Sequence, residues 1–180
     1  KPFIQLEKGH MHTYAEAHVM GNRVGNGYTA IGIEFGDNVA VMLNNRLEYL
    51  WSWFGLSRIG GVLVGINTAL KGTFLTHVLT NTQARVGVFE PEFLPWLADI
   101  EDDVVDMAVV YVPGDVYDTD NLPAFKRIEV RNFDEILSGP PDEIPSKVTY
   151  RDIGMIMFTS GTTGPSKGAL MPHGHLYLFG

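Results

Sequence analysis

The run Phe158-Thr159-Ser160-Gly161-Thr162-Thr163-Gly164-Pro165-Ser166-Lys167-Gly168 gathers the groups of this chain best suited to chemistry. Gly161, Gly164 and Gly168 admit backbone angles that other residues resist, so several N–H groups can converge on one anion. The hydroxyls of Thr159, Ser160, Thr162 and Thr163 add short donors, and Lys167 adds a mobile positive charge. A triphosphate-binding loop needs this combination. The pattern is not G-x-x-x-x-G-K-[ST], because Ser166 precedes the lysine and Gly168 follows it. A flexible Ser/Thr/Gly linker is the plain alternative, but the apolar run Met155 to Phe158 leads directly into the loop, and linkers rarely follow a buried strand so closely.

Other candidate groups carry less. His10-x-His12 and His173-x-His175 alternate without a carboxylate or cysteine motif in sequence, and H-E-x-x-H is absent. We read these histidines as surface or capping residues and assign no metal ligands; His173 is expected at a helix start near the nucleotide. Asp115, Asp118 and Asp120 miss the calcium-loop spacing, and Glu101-Asp102-Asp103 with Asp106 does likewise, so both groups read as solvated acidic surface. There is no Gly-x-Ser-x-Gly elbow and no thiol, hence no candidate covalent nucleophile.

The elements that must hold the loop follow a regular order. Thr13-Tyr14-Ala15-Glu16 fits a capping box, and a helix is expected to run from it to the region of Gly25 to Gly32. Gly25-Asn26-Gly27-Tyr28-Thr29-Ala30 imitates a dinucleotide fingerprint, but it closes a helix instead of following a strand. Val39 to Leu43 predicts a strand covered on both faces, and Leu47, Leu50, Trp51 and Phe54 predict a helix stopped by Gly60-Gly61. Val62 to Ile66 predicts the next strand, joined by a parallel crossover. Thr73 is expected to cap a helix with Phe74, Leu75, Val78 and Leu79 on one face. Strands at Val86 to Phe89 and Met107 to Val112 flank a helix from Pro91 to Ile100 that Pro95 shortens or kinks. Pro113 to Arg127 and Gly139 to Ser146 are turn-rich connectors. After the signature loop, Pro172 precludes an immediate helix, so a strand and then a helix near His173 are expected. The fold class is therefore α/β, with a mixed, largely parallel sheet flanked by helices.

Composition sets outer bounds. The 180 residues, 45% of them hydrophobic, suffice for one domain with a real core. A formal net charge of -8 without clustered Lys or Arg disfavours a nucleic-acid surface. Zero cysteines exclude disulfides and thiolate metal sites and suit a cytoplasmic setting. The longest apolar region, Leu50 to Ile66, is cut by Ser52, Arg58, Gly60 and Gly61, so no transmembrane segment is expected. The chain opens at Lys1 with no secretory-signal pattern, and further residues are expected upstream.

The signature loop resembles that of the adenylate-forming superfamily, which includes acyl-CoA synthetases, luciferases and peptide-synthetase adenylation domains. Thr13-Tyr14-Ala15-Glu16, Gly36 to Leu43 and Gly60 to Asn67 resemble ordered landmarks of the N-terminal part of acyl-CoA synthetases, so the likeness spans most of the chain. The loop variant followed by Met171-Pro172-His173 is most similar to acid:CoA ligases of the crotonobetaine or carnitine type. The resemblance implies that residues 1–180 are the N-terminal part of an AMP-binding domain. It implies activation of a small carboxylic acid by ATP, aided by Mg2+, and transfer of the acyl group to coenzyme A, chemistry of the kind used in fatty-acid metabolism. It also implies that Thr159, Ser160, Gly161, Thr162, Thr163, Gly164 and Lys167 bind the nucleotide phosphates, with Lys167 stabilising charge on departing pyrophosphate. The adenine pocket, magnesium-binding glutamate, ribose-binding aspartate and catalytic lysine domain of such enzymes would all lie beyond Gly180, so the 180 residues alone are expected to be inactive. The alternative from a different class is a non-catalytic domain that binds phosphate or a partner.

Overall fold

Thr13 caps the first long helix as its capping box requires. In the computed structural model, which describes residues 1–7, 9–159 and 166–179, the Thr13 hydroxyl accepts from the Glu16 amide and the Glu16 carboxylate accepts from the Thr13 amide. The Thr13 amide, the Thr13 hydroxyl and His10 hold that carboxyl down at about 2. Ahead of the cap, β1 (Pro2–Gln5) and β2 (Met11–Thr13) form an antiparallel hairpin that composition did not reveal. From Thr13 runs α1 (Tyr14–Ala30).

Next come β3 (Asn38–Met42), α2 (Leu47–Ile59), β4 (Val62–Gly65), α3 (Thr73–Thr82) and β5 (Val86–Phe89). Then α4 (Leu94–Ala98), β6 (Val109–Val112), β7 (Glu129–Asn132), α5 (Asp134–Leu137), β8 (Ile153–Thr159), β9 (Lys167–Pro172) and α6 (His173–Phe179) complete the order. Among the described residues, seven strands form one sheet in the order β7-β6-β5-β3-β4-β8-β9, and only its β8–β9 pair is antiparallel. The α/β expectation with a largely parallel sheet is thus met.

The continuous apolar run of β3 is explained by cover on both faces. Val39 and Val41 pack with Val24, Tyr28 and Leu56 from α1 and α2, whereas Ala40 and Met42 pack with Leu75, Val78 and Leu94 from α3 and α4. Gly60 ends α2 in the left-handed conformation at φ 78°, a role that favours glycine over residues with a Cβ. The glycines that imitate a dinucleotide fingerprint serve close approach instead. A Cβ on Gly25 would lie 3.0 Å from the Gly55 carbonyl of α2, and one on Gly27 would lie 2.1 Å from the Ile136 carbonyl of α5. α1 can therefore seat against both neighbours only with hydrogen at these positions.

Three expectations need correction. Thr73 does not cap α3; Gly72 does, with no side-chain cap bond, and Thr73 is the first helical residue. Phe74 is 60% exposed, because the buried face turns through Leu75, Val78, Leu79 and Thr82. Glu101 is not solvated surface: it is buried, and its carboxylate accepts from the backbone amides of Lys126, Arg127 and Ile128 at 2.8, 2.7 and 2.8 Å. Arg127 completes the lock by donating to the carbonyls of Glu101, Val104 and Met107. The Pro91–Ile100 segment is broken as expected, into a single 3-10 turn and the short α4.

Candidate functional site

The parallel strands share one C-terminal rim, the side of an open α/β sheet where ligands bind. At the switch between β3 and β5, the usual place for such a site, the rim is filled by fixed charge. Arg46, just past β3, pairs with Glu48 at 2.7 Å, with Glu90 past β5 at 3.1 Å, and with Asp115 past β6. Burial works against the guanidinium charge, but Glu48 and Asp115 more than offset it and raise its affinity for the proton. Asp115 is thereby an ion-pair partner, not merely solvated surface. Three carboxylates thus engage the one guanidinium of Arg46.

The strand ends that flank the signature loop stand elsewhere on the same rim. β8 runs parallel to β4 and ends at Thr159; β9 returns antiparallel and begins at Lys167, with Thr159 and Lys167 as opposite partners on one rung. Both are exposed, so a hydroxyl and an ammonium project side by side where the chain leaves and re-enters the sheet. Ser160, Gly161, Thr162, Thr163 and Gly164 lie outside the described residues. Of the predicted site, the structure therefore brings Thr159 and Lys167 together.

Two residues that sequence reasoning missed secure the return strand. His77 of α3 donates from Nε2 to the Ser166 carbonyl at 2.9 Å, while the Asn81 amide donates to His77 Nδ1 at 3.0 Å and so fixes that tautomer. The i, i+4 spacing of His77 and Asn81 on the polar side of an amphipathic helix was the available signal. They line a cleft of about 500 Å³ with Phe158, Ser166 and Lys167. The Ser166 hydroxyl oxygen is buried with no partner among the described residues, a donor ready for a ligand oxygen. No carboxylate lines this cleft among the described residues, and its one lining cation is Lys167.

His173 opens α6 as expected. Burial lowers its proton affinity more than nearby Asp152 raises it, and Nε2 has no partner among the described residues. A hollow of similar size, about 510 Å³, opens between the N-terminal hairpin, α1 and α2. Phe3, Tyr14 and Phe54 dominate it, and its one arginine, Arg58, is already engaged by His18 and Glu143, so it does not suit a polyphosphate.

A mostly parallel α/β sheet carrying a lysine-bearing, hydroxyl-rich loop on its C-terminal rim defines the class, and the chain belongs to the AMP-binding enzyme family, whose profile matches residues 1–179. Among relatives, it is 32% identical over 170 residues to the crotonobetaine/carnitine–CoA ligase of Citrobacter koseri, covering 93% of this chain and 32% of that protein. The fold matches the anthranilate CoA ligase AuaEII in complex with anthranoyl-AMP at a TM-score of 0.78 and 28% identity, over 91% of this chain and 30% of that one. It also matches ATP-bound MatB from Rhodopseudomonas palustris at a TM-score of 0.74 and 28% identity, over 95% of this chain and 31% of that one. The chain thus spans about a third of the length of the proteins it resembles. No helix among the described residues is long and apolar enough to cross a membrane.

Proposed function

We propose that residues 1–180 are the N-terminal part of the AMP-binding domain of an acid:CoA ligase, which joins a small carboxylic acid to ATP and passes the acyl group to coenzyme A. The observation that carries this reading is the rung on which Thr159 and Lys167 face each other at the sheet's C-terminal rim. In the first step a carboxylate oxygen bonds to the α-phosphorus as the α–β bridging bond breaks, and pyrophosphate leaves with the electron pair. Lys167 offsets charge gathering on that leaving group, and the loop hydroxyls donate to its oxygens. In the second step the thiol sulfur bonds to the acyl carbon, AMP leaves, and the thiol proton passes to solvent. Magnesium, bound with the nucleotide, would neutralise further phosphate charge. The relatives favour a crotonobetaine- or carnitine-type acid, and the cysteine-free composition suits a cytoplasmic enzyme.

Carboxylate-dependent exchange of labelled pyrophosphate into ATP tests the reading in the intact protein. Exchange with at least one short or quaternary-ammonium acid is expected, and residues 1–180 alone are expected to give none. An intact, folded protein that binds ATP yet shows no exchange with a broad acid panel would overturn the ligase reading in favour of a binding domain.

A further inference from the structure

Outside the β8–β9 cleft, the hairpin and the first turn of α1 bring three metal-ligating side chains together. His10, His12 and Glu16 each offer a ligand atom, and these atoms lie within 4.8 Å of one another. The sequence separates the histidines from any metal motif, but the turn into α1 supplies the missing carboxylate. His10 Nε2 stands 3.3 Å from Glu16 Oε1. Two ligands about 2.0–2.1 Å from a tetrahedral zinc ion stand about 3.3 Å apart, so this pair already has the required spacing.

The surroundings orient the set. Glu16 Oε2 is held by the Thr13 amide at 2.7 Å and the Thr13 hydroxyl at 2.9 Å, which turns Oε1 toward His10. The half-buried His12 ring stands edge-on to the buried Trp51 at 5.3 Å and edge-on to His10 at 4.7 Å. His10 is exposed and can rotate to close the remaining gap. The positive end of the α1 dipole disfavours a cation nearby, an effect smaller than the attraction of the full Glu16 charge.

We propose that His10, His12 and Glu16 form a binding site for a divalent transition metal of the zinc class, with water in the fourth position. Two imidazoles and one carboxylate suit zinc, copper or nickel and not the hard cations magnesium and calcium. The ion takes the place of the direct His10–Glu16 contact and clips the β1–β2 hairpin to the start of α1. This site is independent of the nucleotide reading, since none of its residues touches the β8–β9 cleft.

Calorimetric titration of the chelator-treated intact protein with zinc chloride tests the site. One saturable zinc ion per chain is expected, with affinity falling about tenfold or more in His10→Ala and in Glu16→Gln. Glutamine still serves a capping box, so Glu16→Gln is expected to stay folded in the metal-free state while losing zinc. His12→Phe keeps a ring against Trp51 and is expected to lose zinc as well. His18→Gln, outside the cluster, is expected to bind as the parent does. No saturable zinc binding, or binding unchanged in the three cluster variants, or equal loss in His18→Gln, would overturn the assignment.

Discussion

Replacing Lys167 with alanine in the intact protein is expected to slow acyl-adenylate formation by about one to three powers of ten, the scale of removing one preorganised electrostatic donor from a developing anion. Melting temperature is expected to change little, because Lys167 is exposed at the first position of β9. The charge matters more as pyrophosphate departs than when ATP first binds, so the loss should appear in the single-turnover rate more than in nucleotide affinity. Rapid-quench measurement of the adenylate, paired with thermal melting of the same samples, separates the two effects. An unchanged single-turnover rate, or loss only through unfolding, would make Lys167 structural and remove the role assigned to the loop.

Glu101→Ala is expected to be the most damaging single change to stability away from the core. It strands three backbone amides that now share one buried carboxylate, at a cost of about 3 kcal/mol. For a chain of this size that corresponds to a fall of about 10 °C in melting temperature. Burial pushes the Glu101 carboxyl up, but the amides of Lys126, Ile128 and Arg127 outweigh it and hold the folded-state value below the ordinary 4.5. The stabilisation is therefore complete above about 4.5 and is lost as pH falls through the lowered folded-state value. Glu101→Gln is expected to flatten that acid limb while costing less than alanine near pH 7. Melting curves across pH 3 to about 7 check both statements, and an alanine variant that melts with the parent would show that the carboxylate does not hold the segment.

The parts legible in the sequence were those where one local signal had no competitor. Val39 to Leu43 and Val86 to Phe89 are short apolar runs, and both became strands buried on two faces. Thr13 and Glu16 satisfy a cap by themselves, and Gly60 stops α2 where Cβ-bearing residues resist the backbone. Elements whose stability comes from distant partners stayed hidden. Strand β7 reads Glu-Val-Arg-Asn, too polar to be seen as sheet, and forms because β6 offers it a free ladder. Glu101 sits in an acidic run and looks solvated until the amides of residues 126–128 arrive from a different part of the chain. The signature loop stood out through composition, although Ser160 to Gly164 lie outside the described residues. His77 did not, because its target is the backbone carbonyl of Ser166, and carbonyls have no sequence signature.

The register of the sheet also dictates an order of assembly. β3 and β4 pair residues close in sequence, such as Val39 with Leu63, whereas β4 and β8 join Leu63 to Met155, roughly ninety positions later. Closing that long loop costs more entropy, and β8 leaves the ribosome after all of β3 to β7 has been made. Until it docks, β4 keeps one edge open, a template for wrong pairings. Pulse-labelled hydrogen exchange is expected to protect β3 and β5 amides before those of β8, and simultaneous protection would contradict this order. The strands that carry Thr159 and Lys167 are thus fitted to the sheet after β3 to β7, so intermediates that stall before that step retain much of their architecture while lacking the rung that presents the hydroxyl beside the ammonium.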